Sequence, residues 1–156
     1  MFVPYSDLQN DSRVWVYQSD KLLTPSEKAS IERDLIDLCN SWSAHGSPLS
    51  ASFQIYDWFI CLFVDESKSQ ASGCSIDSSV KVISEISSRF NINFFNRLNI
   101  AYKEEDETKV LPLSEFKKII SSSMLVYNNL VQTKEEFDEN WVISIEKSWL
   151  SKYLIS

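Results

Sequence analysis

A chain of 156 residues, of which 44% are hydrophobic and 13% aromatic, can bury a core without disulfides or metals and is not a disordered chain. Its formal net charge is −7, and it has no Lys/Arg cluster beyond Lys117 and Lys118, which argues against nucleic acid and anionic membranes as partners. The longest apolar run, residues 58–64, is far shorter than the ~20 residues that span a bilayer.

The first elements predicted along the chain are a strand and a helix. In residues 13–18, valines alternate with aromatic residues, so that each type lies on one face, and this alternation indicates a strand. Thr24 and Glu27 have the spacing of a capping box, and Pro25 suits the first helical position. Apolar residues then recur at helical spacing, and we expect this helix to end near Ser43. The recurring residues are Ile31, Leu35, Leu38, Cys39 and Trp42.

Two strands and a second long helix are predicted next. Ala51, Phe53 and Ile55 alternate with polar residues, as in a half-buried strand. The unbroken apolar run 58–64 indicates a central strand that is buried on both faces. A helical pattern follows the polar loop and extends to Phe90, and Asn91 suits a left-handed helix end.

The last third of the chain carries shorter patterns. Large apolar side chains recur at every second position over residues 98–102, which predicts a strand, and a second strand is predicted at 109–111, after a charged turn. A third short strand is predicted at 125–127. A short helix is predicted at 113–121, and a second capping box begins at Thr133. A terminal helix with an aromatic face is predicted from the spacing of Ile145, Trp149, Leu150 and Tyr153. This helix either closes the core or docks on a partner.

The order of these elements predicts the fold class. Strand–helix–strand–strand–helix–strand over residues 13–102 is the order of a ferredoxin-like, split βαβ unit. We therefore expect one α+β domain over residues 1–156, with an antiparallel sheet and helices on one of its faces. Residues 103–156 are expected to form a C-terminal helical extension of this core unit.

The cysteines and the N-terminal sequence predict a cellular compartment. The three cysteines are widely spaced without a CxxC motif, which excludes a zinc knuckle and a thioredoxin motif. Cys39 and Cys61 lie in apolar patterns and are expected in the core. The first residues lack a basic region followed by an apolar stretch, so we expect no signal peptide and a cytoplasmic protein with reduced thiols.

Five segments are spread over nearly the whole chain: VYQSD, AHGSPLSASF, FVDES, ASGCSIDSSV and VYNNLV. In this order they resemble a family of uncharacterised small bacterial proteins that often carry the label "ABC transporter ATPase". The resemblance implies no catalytic residues. The label conflicts with the sequence, because such an ATPase needs GxxxxGK[ST], whereas neither Gly46 nor Gly73 is followed by Lys-Ser or Lys-Thr. There is no P-loop, and we reject the label.

One candidate site is a reactive thiol. Cys74 lies at a predicted helix start, where the helix dipole favours a thiolate. His45 is the one histidine available as a base, and Asp65 or Glu66 could orient its imidazole. In the alternative interpretation Cys74 packs beside the helix start, and His45 caps the preceding helix or a loop carbonyl. The nearby Asp77 favours this alternative, because a carboxylate disfavours a thiolate.

The same segment, residues 71–80, is a candidate anion site. Backbone N–H groups and hydroxyls at a helix start can hold an anionic group, here from Gly73, Ser75, Ser78 and Ser79. The alternative is that Ser75 simply caps the helix. The acids near this segment have no metal-binding spacing, so no metal and no cofactor are expected.

The sequence is compatible with two functions. The first is a non-enzymatic binding module whose partner is a protein, a small molecule or a second copy of the chain, with a small-molecule or anion site at residues 71–80. The second is a small thiol-dependent enzyme that uses Cys74 with His45. The sequence favours the first, because a single cysteine and a single histidine are thin evidence for catalysis.

Overall fold

The computed structural model describes residues 1–68, 70, 71 and 73–154, with residue 74 described by its backbone alone, and it shows an α+β fold. The strands within these residues are β1 (Arg13–Gln18), β2 (Ser43–Ala44), β3 (Ser47–Pro48), β4 (Ser50–Ile55), β5 (Phe59–Asp65), β6 (Asn99–Glu104), β7 (Glu107–Pro112), β8 (Leu125–Tyr127) and β9 (Val142–Ser144). The α-helices are α1 (Pro25–Ser41), α2 (Gly73–Phe90), α3 (Leu113–Ile119) and α4 (Lys134–Asn140). Short 3-10 helices lie at Tyr5–Asp7, Ile145–Lys147 and Trp149–Tyr153.

The first sheet has β5 at its centre. Its order is β1-β5-β4, and both pairings are antiparallel. Alternate residues of β5 belong to two different core clusters on opposite faces of the sheet, and all six residues from 59 to 64 are at most 1% exposed. The prediction of a central strand buried on both faces is confirmed.

Helices α1 and α2 cover the same face of the first sheet. Ile31 and Leu35 of α1 share one core cluster with Ile83 and Ile86 of α2 and with β5. This confirms an antiparallel sheet with helices on one face. The capping box of α1 is also confirmed, because the Glu27 N–H donates to Thr24 Oγ1 (3.1 Å) and the Thr24 N–H donates to the Glu27 carboxylate (2.9 Å).

A second sheet packs on the other face of the first. Its order is β7-β6-β8-β9, and its pairings are antiparallel. Between the two sheets lies a cluster rich in aromatic rings, which includes Phe59, Phe63, Phe137 and Trp141. The far face of the second sheet packs on α3 and the C-terminal 3-10 helices, where Phe116 is fully buried.

The ferredoxin-like arrangement is not confirmed. A split βαβ unit would hold β6 in the first sheet, but β6 pairs with β7 and β8 instead, and β1 runs antiparallel to β5. The physical reason is local, since β6 reaches β7 through a tight turn at Glu105, whose φ is 58°, and gains a partner without returning to the first sheet.

The C-terminal part contains more strand than predicted. Strands β7 and β8 lie where the pattern predicts strands, and β9 was not predicted. The predicted terminal helix is instead two 3-10 helices separated at Ser148. The hydroxyl of Ser148 donates to the carbonyl of Ile145 (2.7 Å) and accepts from the N–H of Leu150 (3.2 Å), which ends one helix and caps the next.

No helix in the part of the chain that the structure describes combines the length and apolarity needed to cross a bilayer.

Candidate functional site

His45 lies at the tip of a small hairpin. Strands β2 and β3 pair in this hairpin, and its two turn residues are His45 (φ 51°) and Gly46 (φ 79°). Positive φ at both positions is typical of a two-residue hairpin turn, and glycine adopts it at little cost. The histidine is exposed, as its position at the tip requires.

The first turn of α2 packs against this hairpin through Ser75. The hydroxyl of Ser75 donates to the carbonyl of Ser43 (2.6 Å), and the Trp42 Nε1–H donates to the carbonyl of Ser75 (2.9 Å). Ser75 is buried and lies two residues inside a helix that begins at Gly73. Ser75 therefore lies inside the helix, and its hydroxyl joins the helix to the hairpin.

Asp65 lies at the same end of the first sheet, but its carboxylate has a backbone partner. Asp65 Oδ1 accepts from the N–H of Ser67 (2.8 Å), and Glu66 Oε2 accepts from the N–H of Ala71 (2.7 Å). Glu66 Oε1 also lies 3.6 Å from Arg13 Nε. Within the described residues no hydrogen bond joins Asp65 to His45. The structure thus brings the three segments to one end of the sheet, while the side chain of Cys74 lies outside the described residues.

The remaining residues of the predicted anion site differ in their exposure to solvent. Ser79 is buried, and its hydroxyl donates to the carbonyl of Ile76 in its own helix (2.6 Å). Gly73 and Ser78 are exposed. Among the described residues no group of three or more His, Cys, Asp or Glu side chains is arranged to hold a metal ion.

A different site lies toward the opposite end of β1. A cavity of about 550 Å³ opens between the last residues of β1 and the second sheet, a volume in the range of about 300–1,000 Å³ that small-molecule sites occupy. We call it the β1 pocket. Its apolar wall is formed mainly by large side chains, namely Tyr17, Phe94, Phe95, Tyr127, Leu130 and Trp149.

Several of these apolar side chains are exposed. Phe95 is 46% exposed, Trp149 43% and Leu130 71%, although they come from three distant parts of the sequence. Scattered single apolar residues are normal on a protein surface, whereas a group of them around one cavity is a common feature of ligand-binding sites.

A chain of hydrogen-bonded amides forms the polar part of the β1 pocket. Gln18 Nε2 donates to the carbonyl of Asn99 (2.9 Å), and Asn129 Nδ2 donates to Gln18 Oε1 (2.8 Å). Asn129 Oδ1 in turn accepts from Trp141 Nε1–H (3.1 Å). Each amide has a second N–H and further acceptor capacity. The side chains are thus fixed in place and still have hydrogen-bonding capacity for a ligand.

The loop between α2 and β6 positions one wall of the pocket. The side-chain oxygen of Asn93 accepts from the N–H of Phe95 (2.8 Å), and that of Asn96 accepts from the N–H of Leu98 (2.9 Å). Such asparagine turns fix a loop without regular structure. The Phe95 ring then meets the edge of the Tyr17 ring, with centroids 6.0 Å apart.

The sequence patterns did not predict this pocket. The segment that could have indicated it is NINFFNRLN, in which asparagines are interspersed with aromatic and aliphatic residues that fit no helix or strand pattern. Its partners in the pocket come from β1, β8 and the C-terminal 3-10 helix, and only the tertiary structure joins them.

No family model, no curated protein and no solved structure matches this chain. The resemblance to a family of small bacterial proteins therefore stays a prediction.

Proposed function

We propose that the protein is a non-enzymatic binding module that holds a small, largely apolar molecule in the β1 pocket. The observation that carries this proposal is the convergence of exposed aromatic and aliphatic side chains on one cavity of about 550 Å³ with a preformed amide network. A ligand there would remove apolar surface from water on both partners, which is the main favourable term in such binding.

The chemistry of the lining supports binding rather than catalysis. Among the described residues that line the pocket there is no carboxylate, imidazole or thiol to act as base or nucleophile. The polar groups that do line it are amides, one guanidinium and a few phenol or indole groups, which orient a ligand and do not transfer protons readily near neutral pH.

The site proposed here replaces the start of α2 as the place where we expect the ligand. The hydroxyls of Ser75 and Ser79 both donate to backbone carbonyls of the protein itself. The thiol-enzyme hypothesis keeps its own test, described in the Discussion. The acidic charge and the scarcity of clustered basic residues favour a small molecule over nucleic acid, and a cytoplasmic location remains part of the proposal.

The proposal is tested with an uncharged fluorescent probe, N-phenyl-1-naphthylamine, which brightens when it leaves water. We expect saturable binding of one probe per chain. Phe95→Asp, which replaces an aromatic ring of the apolar wall by a carboxylate, should weaken binding at least tenfold, because the probe would lose apolar contact and would desolvate the carboxylate.

The matched control is Leu22→Asp. Leu22 is 56% exposed and does not line the pocket, so this variant should bind the probe as the unmodified protein does. Circular dichroism checks that both variants fold. Absence of saturable binding, or equal loss in the two variants, would overturn the proposal.

A further inference from the structure

We propose that the ligand of the β1 pocket carries an anionic group next to its apolar body, an inference that rests on the proposed function. Arg97 is the one charged residue among the described residues that line the pocket. A positive pocket is unexpected in a protein whose formal net charge is −7. The charge of the lining is therefore opposite to that of the protein as a whole.

The guanidinium of Arg97 has no ion pair within the described residues. By contrast, Arg13 lies 3.6 Å from the Glu66 carboxylate, and Arg89 lies 2.5 Å from that of Asp34. Arg97 is also exposed, so its planar set of N–H donors is available to a ligand. An arginine placed in this way can bind a carboxylate or sulfonate through two parallel hydrogen bonds.

A second cation lies near the pocket without lining it. Lys152 Nζ is 5.5 Å from the centroid of the Trp149 ring, which lines the pocket, and 5.2 Å from that of the Tyr153 ring, which does not. Lys152, too, has no ion pair in the part of the chain that the structure describes. Its charge adds to that of Arg97, and the summed positive potential attracts an anion to the pocket.

The two sets of contacts define the ligand class. The aromatic and aliphatic wall suits an aryl or alkyl body, and Arg97 suits one compact anionic group attached to it. The structure therefore favours a small aromatic or aliphatic carboxylate over an uncharged molecule of the same shape. A polyanion is disfavoured, because only Arg97 among the described lining residues would neutralise it.

The test compares two probes with the same ring system. 8-Anilino-1-naphthalenesulfonate carries a sulfonate, and N-phenyl-1-naphthylamine is its uncharged counterpart. We expect the sulfonate to bind more tightly. Arg97→Gln should weaken sulfonate binding about fivefold or more and leave the uncharged probe unchanged, since glutamine has no charge and cannot form the two parallel charge-assisted hydrogen bonds. Added salt should weaken the binding of the sulfonate alone.

Arg33→Gln is the matched control. Arg33 is exposed on α1, has no ion pair among the described residues and does not line the pocket, so its replacement should affect neither probe. Lys152→Gln should produce a loss for the sulfonate that is smaller than that of Arg97→Gln.

The outcomes separate this inference from the proposed function. If the uncharged probe binds and the sulfonate gains nothing from Arg97, the inference is overturned while the binding module stands. Equal loss of both probes in Arg97→Gln also overturns it, because the arginine would then act only on the shape of the pocket. Failure of both probes to bind the unmodified protein overturns the proposed function itself.

Discussion

Asn129 connects the two sheets, and its replacement by leucine should destabilise the protein measurably. Its side chain donates to Gln18 of β1 and accepts from the Trp141 indole in the cluster between the sheets. Leucine has a similar size but no polar atoms, so Asn129→Leu keeps the space filled and removes both hydrogen bonds. Gln18 Oε1 and the Trp141 N–H would then lose these partners.

The magnitude follows from burial. Gln18 and Trp141 are each 9% exposed, so neither lost hydrogen bond is fully replaced by water. A buried polar group left without a partner costs about 1–3 kcal/mol. Because the pocket admits some water to Gln18, we expect a total loss of about 2–4 kcal/mol in the free energy of unfolding. With a urea dependence of about 2 kcal/mol per molar, the unfolding midpoint should fall by about 1–2 M.

The assay is urea unfolding followed by circular dichroism, with Asn128→Leu as the matched control. Asn128 accepts one exposed hydrogen bond from the N–H of Leu130 (3.2 Å), so its replacement should cost only about 0.5 kcal/mol. A double-mutant cycle with Trp141→Phe should show a coupling free energy of about 1 kcal/mol. Equal midpoints for the two asparagine variants would refute the structural role assigned to Asn129.

Three further outcomes are expected. Phe63→Ala should cost about 3–5 kcal/mol in urea unfolding, because Phe63 is fully buried in the centre of the first sheet; a loss below 1 kcal/mol would contradict that packing. Desolvation raises the pKa of Tyr56, which is still 38% exposed, from 10.0 to about 12, so the stability that this shift contributes is complete below about pH 10 and is lost as the pH rises to about 12. Tyr56→Phe should therefore show a shallower fall of the free energy of unfolding over that range, and an unchanged slope would argue against the shift. Finally, we expect His45→Ala to leave the rate and pH dependence of Cys74 alkylation unchanged, since His45 lies at an exposed hairpin tip without a carboxylate partner in the described residues; a marked slowing below pH 7 would favour the thiol enzyme.

The parts of the fold that depend on neighbouring residues could be predicted from the sequence. Strand β1 begins and ends where its alternation predicts, and the capping box at Thr24 fixes the start of α1. Asn91 has the left-handed φ of 53° expected at the end of α2. Each of these features is determined by a few consecutive side chains and their backbone, so a local pattern contains the necessary information.

The parts that depend on distant pairing could not be predicted in the same way. The order of elements did not reveal that β6 would leave the first sheet, because the choice of strand partner is made in the tertiary structure. The terminal segment has apolar residues at helical spacing, but the hydroxyl of Ser148 breaks it into two short helices. The periodicity indicated which side chains are buried, as Ile145 and Leu150 are, without indicating the type of helix.

The candidate sites show the same contrast. The sequence predicted a site at residues 71–80 because a glycine, hydroxyl residues and a cysteine are close together there. The β1 pocket has no such concentration, since its wall combines Tyr17, Phe95, Tyr127 and Trp149 from separate segments. A pocket assembled in this way becomes visible only when the two sheets are packed together.

Mapping where a ligand binds tests most directly whether the β1 pocket is the binding site. Amide resonances of isotope-labelled protein would be followed by NMR during titration with N-phenyl-1-naphthylamine. If the β1 pocket holds the ligand, the largest shifts fall on its walls, at Gln18, Phe95 and Leu130, and saturate together with the fluorescence. Shifts concentrated at Ser75 and Ser78 in the first turns of α2, or spread without a focus over the surface, would contradict it.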